Sequence, residues 1–285
     1  MTNTLYIIGN GFDLHHGLQS SYANFRDNYV HKNNKLWTAM STVYGNKLNS
    51  DLWWCDFEKM LGEIDYDHLI KSYNGEALGA SKVENLLKNM LPPLFGKWIR
   101  CLNSNINKSD LLRIDSEAQF FTFNYTLLLE QTYGVKKENV WHIHNSIKDN
   151  IIVGHDADEG TLLKQLQSYN TSHPKAHIRP DIQDLINQGI AKGAKKVRER
   201  IEMNKDKFYS YNNIKHFIVM GFSFNDIDLP YIQKIIEVNQ DIANADWKLY
   251  WYSNGEDEAM KHKLIELGVN ENKISCINWQ NRKQS

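Results

Sequence analysis

The 285-residue sequence predicts an α/β fold with a mostly parallel sheet and helices on both faces. Three observations predict it. Short apolar runs recur along the chain, at residues 5–8, 118–123, 140–144, 151–153, 216–220, 247–251 and 274–277. Segments of helical period separate most of them. The first run enters the glycine turn Gly9-Asn10-Gly11, after which a helical pattern begins. The whole chain, 1–285, reads as one domain with two interruptions, a helical insertion over about 30–115 and a loop plus long helix over about 156–212.

Each element has a local reason. Leu5, Tyr6, Ile7 and Ile8 make a short buried strand. The first helix starts near Phe12 or Asp13 and stops at Gly17-Leu18, and Ser20-Ser21 can cap a second through Tyr22, Phe25 and Tyr29. Trp37, Met40, Val43 and Tyr44 recur at helical spacing, as do Trp53, Trp54, Phe57, Met60 and Leu61, then Val83, Leu86, Leu87, Met90 and Leu91. Pro92-Pro93 ends or kinks that stripe, because proline lacks the N–H and clashes with the preceding turn. Leu94, Phe95, Trp98, Ile99 and Leu102 resume it, and 103–109 reads as a surface loop.

The alternating pattern then returns. A strand over 118–123 ends in Asn124, a short helix covers 127–132, and strands follow at 140–144 and 151–153. Residues 156–180, with Gly160, Pro174 and Pro180, read as irregular. Ile182, Leu185, Ile186, Ile190, Ala194, Val197 and Ile201 mark one long amphipathic helix. Lys192, Lys195, Lys196, Arg198 and Arg200 lie on its solvated face. The strand 216–220 runs into Gly221, and Pro230 suits the first turn of the next helix. A strand at 247–251, a helix over 256–267 stopped by Gly268, and a strand at 274–277 complete the chain.

Composition narrows the function. Lys+Arg number 33 against 34 Asp+Glu, which gives no global electrostatic reason to bind nucleic acid or a membrane surface. The three cysteines, Cys55, Cys101 and Cys276, are far apart. That spacing excludes a cysteine-built zinc site and argues against a disulfide scaffold. A reducing cytoplasm fits best, with no signal peptide and no apolar run of membrane-spanning length. Eight tryptophans and fourteen tyrosines read either as core or as rings to stack on a base.

In open α/β sheets, ligands bind outside the carboxyl ends of the strands. Four polar groups fall there: Gly9-Asn10-Gly11-Phe12-Asp13, Asn124, His144-Asn145-Ser146, and Gly221-Phe222-Ser223. A strand–glycine turn–helix can cradle a phosphate on backbone N–H groups, and it can equally be a turn that binds nothing. The third glycine of the dinucleotide fingerprint is absent, since Leu14 stands there. Asn124 can fix a sugar hydroxyl or a water, or cap the helix after it. His142 and His144 share a strand face, where His144 suits a general base. The same pair, with His155 and Asp156, also reads as a metal site.

Two resemblances follow from these motifs. Asn10-Gly11-Phe12-Asp13-Leu14 with Gly17-Leu18, Ser21-Tyr22, and Trp54 with Asp56-Phe57-Glu58 resemble the AbiH family of bacterial abortive-infection proteins over most of the chain. More distantly, the ordered set is similar to the sirtuin NAD-binding core. Gly9-Asn10-Gly11 with Phe25-Arg26, Phe123-Asn124-Tyr125-Thr126, His144-Asn145-Ser146 and Gly221-Phe222-Ser223 echo its successive motifs. Asn145 replaces a glycine, Thr126 an aspartate, and the zinc ribbon is missing.

The resemblance implies a Rossmann-like, sirtuin-type (DHS-like) fold and an antiphage effector that hydrolyses NAD to ADP-ribose and nicotinamide. It implies Asn124 and His144 as catalytic residues. Gly9, Asn10, Gly11, Phe12, Asp13, Gly221, Ser223 and Asp228 would bind NAD, which is substrate, and no metal is expected. The alternatives are a non-catalytic NAD or ADP-ribose sensor and a metal-dependent hydrolase or nuclease on His142, His144, His155 and Asp156. The partner expected is NAD or a related nucleotide, with a homo-oligomer and a phage trigger protein as further readings, and neither membrane nor nucleic acid.

Overall fold

The computed structural model describes residues 3–73, 77–102, 106, 111–157, 159–173, 180–253 and 255–279. The chain forms two compact units. The first comprises Met1–Gln19, Leu102–Lys148 and Val197–Ser285, and the second Ser20–Cys101 and Asp149–Lys196.

The first unit is Rossmann-like. Its six strands are β1 (Thr4–Ile8), β2 (Gln119–Thr122), β3 (Val140–His142), β4 (His216–Met220), β5 (Asp246–Trp251) and β6 (Ile274–Asn278). All pairs are parallel, in the order β3-β2-β1-β4-β5-β6. Strands buried on both faces need apolar residues on both. Leu5, Ile7, Phe121, Phe217, Val219, Trp247 and Leu249 enter one core, with Tyr231, Ile232 and Ile235 of the helix Leu229–Val238. Tyr6, Ile8, Phe120, Met220 and Tyr250 enter the other, with Phe12, Leu128 and Leu129. Burying each such side chain stabilises the fold by about 1.5–3 kcal/mol. The strand order reverses between β1 and β4, which marks the carboxyl edge of those strands as the place for a site.

The second unit is helical. Phe25 sits at its aromatic centre, with Phe95 at 5.0 Å, Trp98 at 4.9 Å and Phe57 at 5.7 Å. Trp54 stacks on Phe57 and donates its indole N–H to the Leu48 carbonyl at 2.9 Å. Trp53, Trp54 and Trp98 are core. Ser21 caps the helix Tyr22–Phe25 by accepting from Asn24 N–H. Pro92 and Pro93 stand in the first turn of the helix Leu91–Arg100, so the prolines begin a helix after a π-helical turn, Asn85–Met90.

Four expectations are corrected. The strand over 140–144 ends at His142, because the chain turns there: Asn145 donates to the His142 carbonyl and takes a left-handed φ of 62°. Residues 151–153 form no strand, although Ile151 and Val153 are buried; the run supplies core, with only His155 bridging to Ala194. The stretch expected to be irregular contains the helix Glu159–Ser172, for which Leu162 and Leu166 supply a buried i, i+4 pair. Gly160 falls in its first turn, where it breaks nothing. The long helix over 182–201 is two, Pro180–Ala191 and Val197–Met203. Between them the Gly193 carbonyl accepts from His155 N–H, Lys195 N–H donates to the His155 carbonyl, and Lys196 turns to a φ of 51°. The 103–109 loop lies mostly outside the described residues, as does Pro174.

Candidate functional site

Register places the four polar groups side by side. Ile8 pairs with Thr122 and Met220, and Thr122 pairs with His142. The residues that follow these strand ends share the rim of β1 to β4.

The glycines meet one another there. Gly9 N–H donates to the Met220 carbonyl at 3.0 Å and Gly11 N–H to the Gly221 carbonyl at 2.9 Å. A Cβ on Gly9 would stand 2.4 Å from the Gly221 oxygen, and one on Gly221, whose φ is +64°, would stand 2.1 Å from Phe12 N. The close approach that needs glycine is thus backbone against backbone. The N–H groups of Gly9 and Gly11 are taken by the β4 turn. Phe12 is fully buried against Tyr133 and His16, so its ring faces the core. Asn10 and Ser223 are exposed at the rim.

Asp13 is only 1 % exposed, and both its oxygens are engaged. Oδ1 accepts from Asn124 Nδ2 at 3.0 Å and Oδ2 from the Thr126 hydroxyl at 2.7 Å. Burial pushes its carboxyl up to about 7, against the pull of those two hydrogen bonds and the His142 charge. Asp13, expected among the NAD-binding residues, stands behind Asn124. Asn124 is held at its backbone as well. Its N–H donates to Thr122 Oγ1 at 3.1 Å, and its carbonyl faces His142 Nδ1 at 2.8 Å. His142 Nε2 lies 3.0 Å from Glu130, whose carboxyl is held low by its hydrogen bond to and the charge of His142 despite its burial.

His144 is buried beyond the end of β3. Phe123 and Tyr125, the neighbours of Asn124, lie 5.7 and 6.3 Å from its ring, and Tyr231 lies at 5.7 Å. Its Nε2 is 3.5 Å from Asp228 Oδ1, at the start of the helix Leu229–Val238. Asp228, expected among the NAD-binding residues, stands beside the histidine. Arg200 fixes the turn by donating to the Ile143 carbonyl at 2.6 Å, so it is no solvated residue.

Sequence reading missed Thr126, Glu130, Tyr125 and Tyr231 as parts of this site. Thr126 carried a signal, since it lies two residues from Asn124 on the same turn.

Two of the histidines of the metal reading are otherwise occupied. His142 is engaged at both ring nitrogens, and His155, in the second unit, faces the Ile190 carbonyl and Ala157 N–H. Among the described residues no three His, Cys, Asp or Glu side chains gather as a metal group, and no helix is long and apolar enough to cross a membrane.

The sequence profile described as "Bacteriophage abortive infection AbiH" matches residues 5–251. The chain belongs to the AbiH family. That membership links it to bacteriophage abortive infection. No curated protein and no solved structure matches the chain. The AbiH-like Trp54, Phe57 and Glu58 serve the second unit: the two rings pack its core, and Glu58 accepts from the buried Lys195 ammonium at 2.7 Å.

Proposed function

We propose that this AbiH-family chain is an abortive-infection effector that hydrolyses NAD to ADP-ribose and nicotinamide at the rim of β1 to β4. One observation carries the reading. The residues on either side of Asn124 both pack on the ring of His144, so a fixed carboxamide and a histidine–aspartate pair share one rim. The order of motifs similar to the sirtuin NAD-binding core adds to it, and Asn145 takes the left-handed backbone that a glycine would supply there.

The chemistry suits these groups. Nicotinamide leaves from a cationic pyridinium as a neutral molecule, so the leaving group needs no acid. The C1′–N bond breaks with its electron pair going to nicotinamide, and the oxygen of a water bonds to C1′. His144 accepts the proton of that water, with Asp228 steadying the charged ring. Asn124 Oδ1 accepts from the water or from a ribose hydroxyl and fixes its position. Phe123, Tyr125 and Tyr231 supply apolar walls around the base. Asn10 and Ser223, both exposed, would meet the rest of the nucleotide.

The test is incubation of the purified protein with NAD, nicotinamide being followed by chromatography, beside His144→Ala and Asn124→Ala. Release by the wild type and its loss in both variants is the expected result. Calorimetric binding of NAD without any release would instead make the chain a nucleotide sensor, and release by His144→Ala would remove the histidine from its role.

A further inference from the structure

We propose that Asp13 is a positioning residue, which sets the carboxamide of Asn124 with its oxygen turned to the ligand and is itself held by Thr126. The proposal rests on the NAD-hydrolase reading for what that oxygen does, and on geometry for how it is held.

The backbone of Asn124 is pinned at both polar atoms, by Thr122 Oγ1 on its N–H and by His142 Nδ1 on its carbonyl. The freedom left to the side chain is chiefly the rotation of its terminal amide, a broad and roughly two-fold torsion. The two orientations differ in chemistry, since one end donates and the other accepts. Ionised, or protonated at Oδ2 toward Thr126 Oγ1, the Asp13 carboxyl presents Oδ1 as an acceptor. Asp13 Oδ1, 3.0 Å from Nδ2, therefore selects the orientation in which the NH₂ faces inward. Oδ1 of Asn124 then faces away from Asp13, and no described residue donates to it. The flipped amide would set oxygen against oxygen inside the protein and offer the ligand a donor where an acceptor is needed. Thr126 removes the slack: its hydroxyl takes the second carboxylate oxygen at 2.7 Å. Asp13 lies in the helix Asn10–His15 and contacts Asn124 across 111 residues of sequence.

Two substitutions separate orientation from charge. Asp13→Ala removes the acceptor and frees the amide to flip. Asp13→Asn keeps both contacts, because its oxygen can accept from Asn124 while its NH₂ donates to Thr126 Oγ1. Steady-state NAD cleavage is measured for the wild type, both variants and Thr126→Val, together with water exchange of the ¹⁵N-labelled Asn124 carboxamide protons by NMR. Asp13→Ala is expected to lower kcat by about 10–100-fold while KM moves by less than about threefold, as expected of a misplaced rather than a missing group. Asp13→Asn restores most of that loss, and Thr126→Val falls between them. The Asn124 amide protons exchange at least about tenfold faster in Asp13→Ala, as loss of a buried hydrogen bond requires. Equal kcat in wild type and Asp13→Ala overturns the proposal, as does an Asp13→Asn variant no better than Asp13→Ala. A wild type that releases no nicotinamide overturns the NAD reading and with it the catalytic consequence. An unchanged exchange rate overturns the orienting contact whatever NAD does.

Discussion

His144 Nε2 lies 3.5 Å from Asp228 Oδ1, joining the turn after β3 to the start of the helix Leu229–Val238. On the proposed hydrolase reading, a carboxylate at that distance steadies the imidazolium that forms when the ring takes a proton. His144→Ala is expected to lower kcat for nicotinamide release by about 10²–10⁴-fold, the usual contribution of a positioned general base. Asp228→Asn keeps the shape and loses the charge, so its loss is smaller, on the order of tenfold. Circular dichroism of both variants checks that the fold is kept. Equal losses in the two would mean that the ring and the carboxylate act as one unit.

A second prediction concerns the second unit. The Lys195 side chain is fully buried and its Nζ meets Glu58 Oε2 at 2.7 Å. Removing one partner of such a pair leaves a charge in low dielectric and typically costs about 3–5 kcal/mol. Lys195→Met is expected to lower the unfolding free energy, measured by urea titration, by that order. The double variant Glu58→Leu with Lys195→Met recovers most of the loss, because no uncompensated charge remains. A single variant as stable as the wild type would show that the pair contributes nothing net.

The strands were legible in the sequence because both faces of a parallel sheet are covered, so runs such as Leu5-Tyr6-Ile7-Ile8 are apolar throughout. Local punctuation was legible too: Ser21 caps, Pro230 opens a helix, and Gly268, at a φ of +92°, follows one. What needed the structure was every relation across long sequence separation. Gly9 looked like a phosphate turn because the requirement for a missing side chain was visible, whereas its cause, the Gly221 backbone, lay far along the chain. Asp13 and Asn124 were both candidates, but only folding makes one the support of the other. Lys195 passed for a surface charge because its spacing matched a helix face, and Gly193 with Lys196 ends that helix before the spacing applies.

The glycine junction yields a third prediction. Gly221→Ala would force a Cβ to 2.1 Å from Phe12 N at a φ of +64°. Neither backbone can yield without breaking the bond from Gly11 N–H to the Gly221 carbonyl. The loss of stability is expected on the order of 3 kcal/mol or more. Gly17→Ala is the control, with a φ of +82° and nothing within 4 Å of the added carbon. It should cost only the conformational strain, about 1–2 kcal/mol. Thermal melts of the two variants compare them directly, and similar melting shifts would mean that the junction relaxes.

The buried carboxyl of Asp13 makes stability depend on pH, with a sign opposite to that of a salt-bridged aspartate. Its pKa rises from 3.8 to about 7 on folding, mainly through desolvation. Below pH 3.8 the folded and unfolded chains both carry the proton, and the group contributes no slope. Between those values the folded state holds a proton that the unfolded state has released, so stability falls as pH rises, by up to about 1.4 kcal/mol per unit. Above about 7 both states are ionised, and the accumulated cost levels off at about 4 kcal/mol. Asp13→Asn removes the titration. Urea unfolding at pH 5.5, 6.5, 7.5 and 8.5 (values of about one unit's spacing chosen to bracket the transition) should therefore show the variant gaining on the wild type as pH rises, with the gain complete near pH 8. The difference between the two proteins isolates Asp13, since the other titrating groups are common to both. A gap that stays constant with pH would mean that the carboxyl is not held up by burial, and that Asp13 remains ionised throughout.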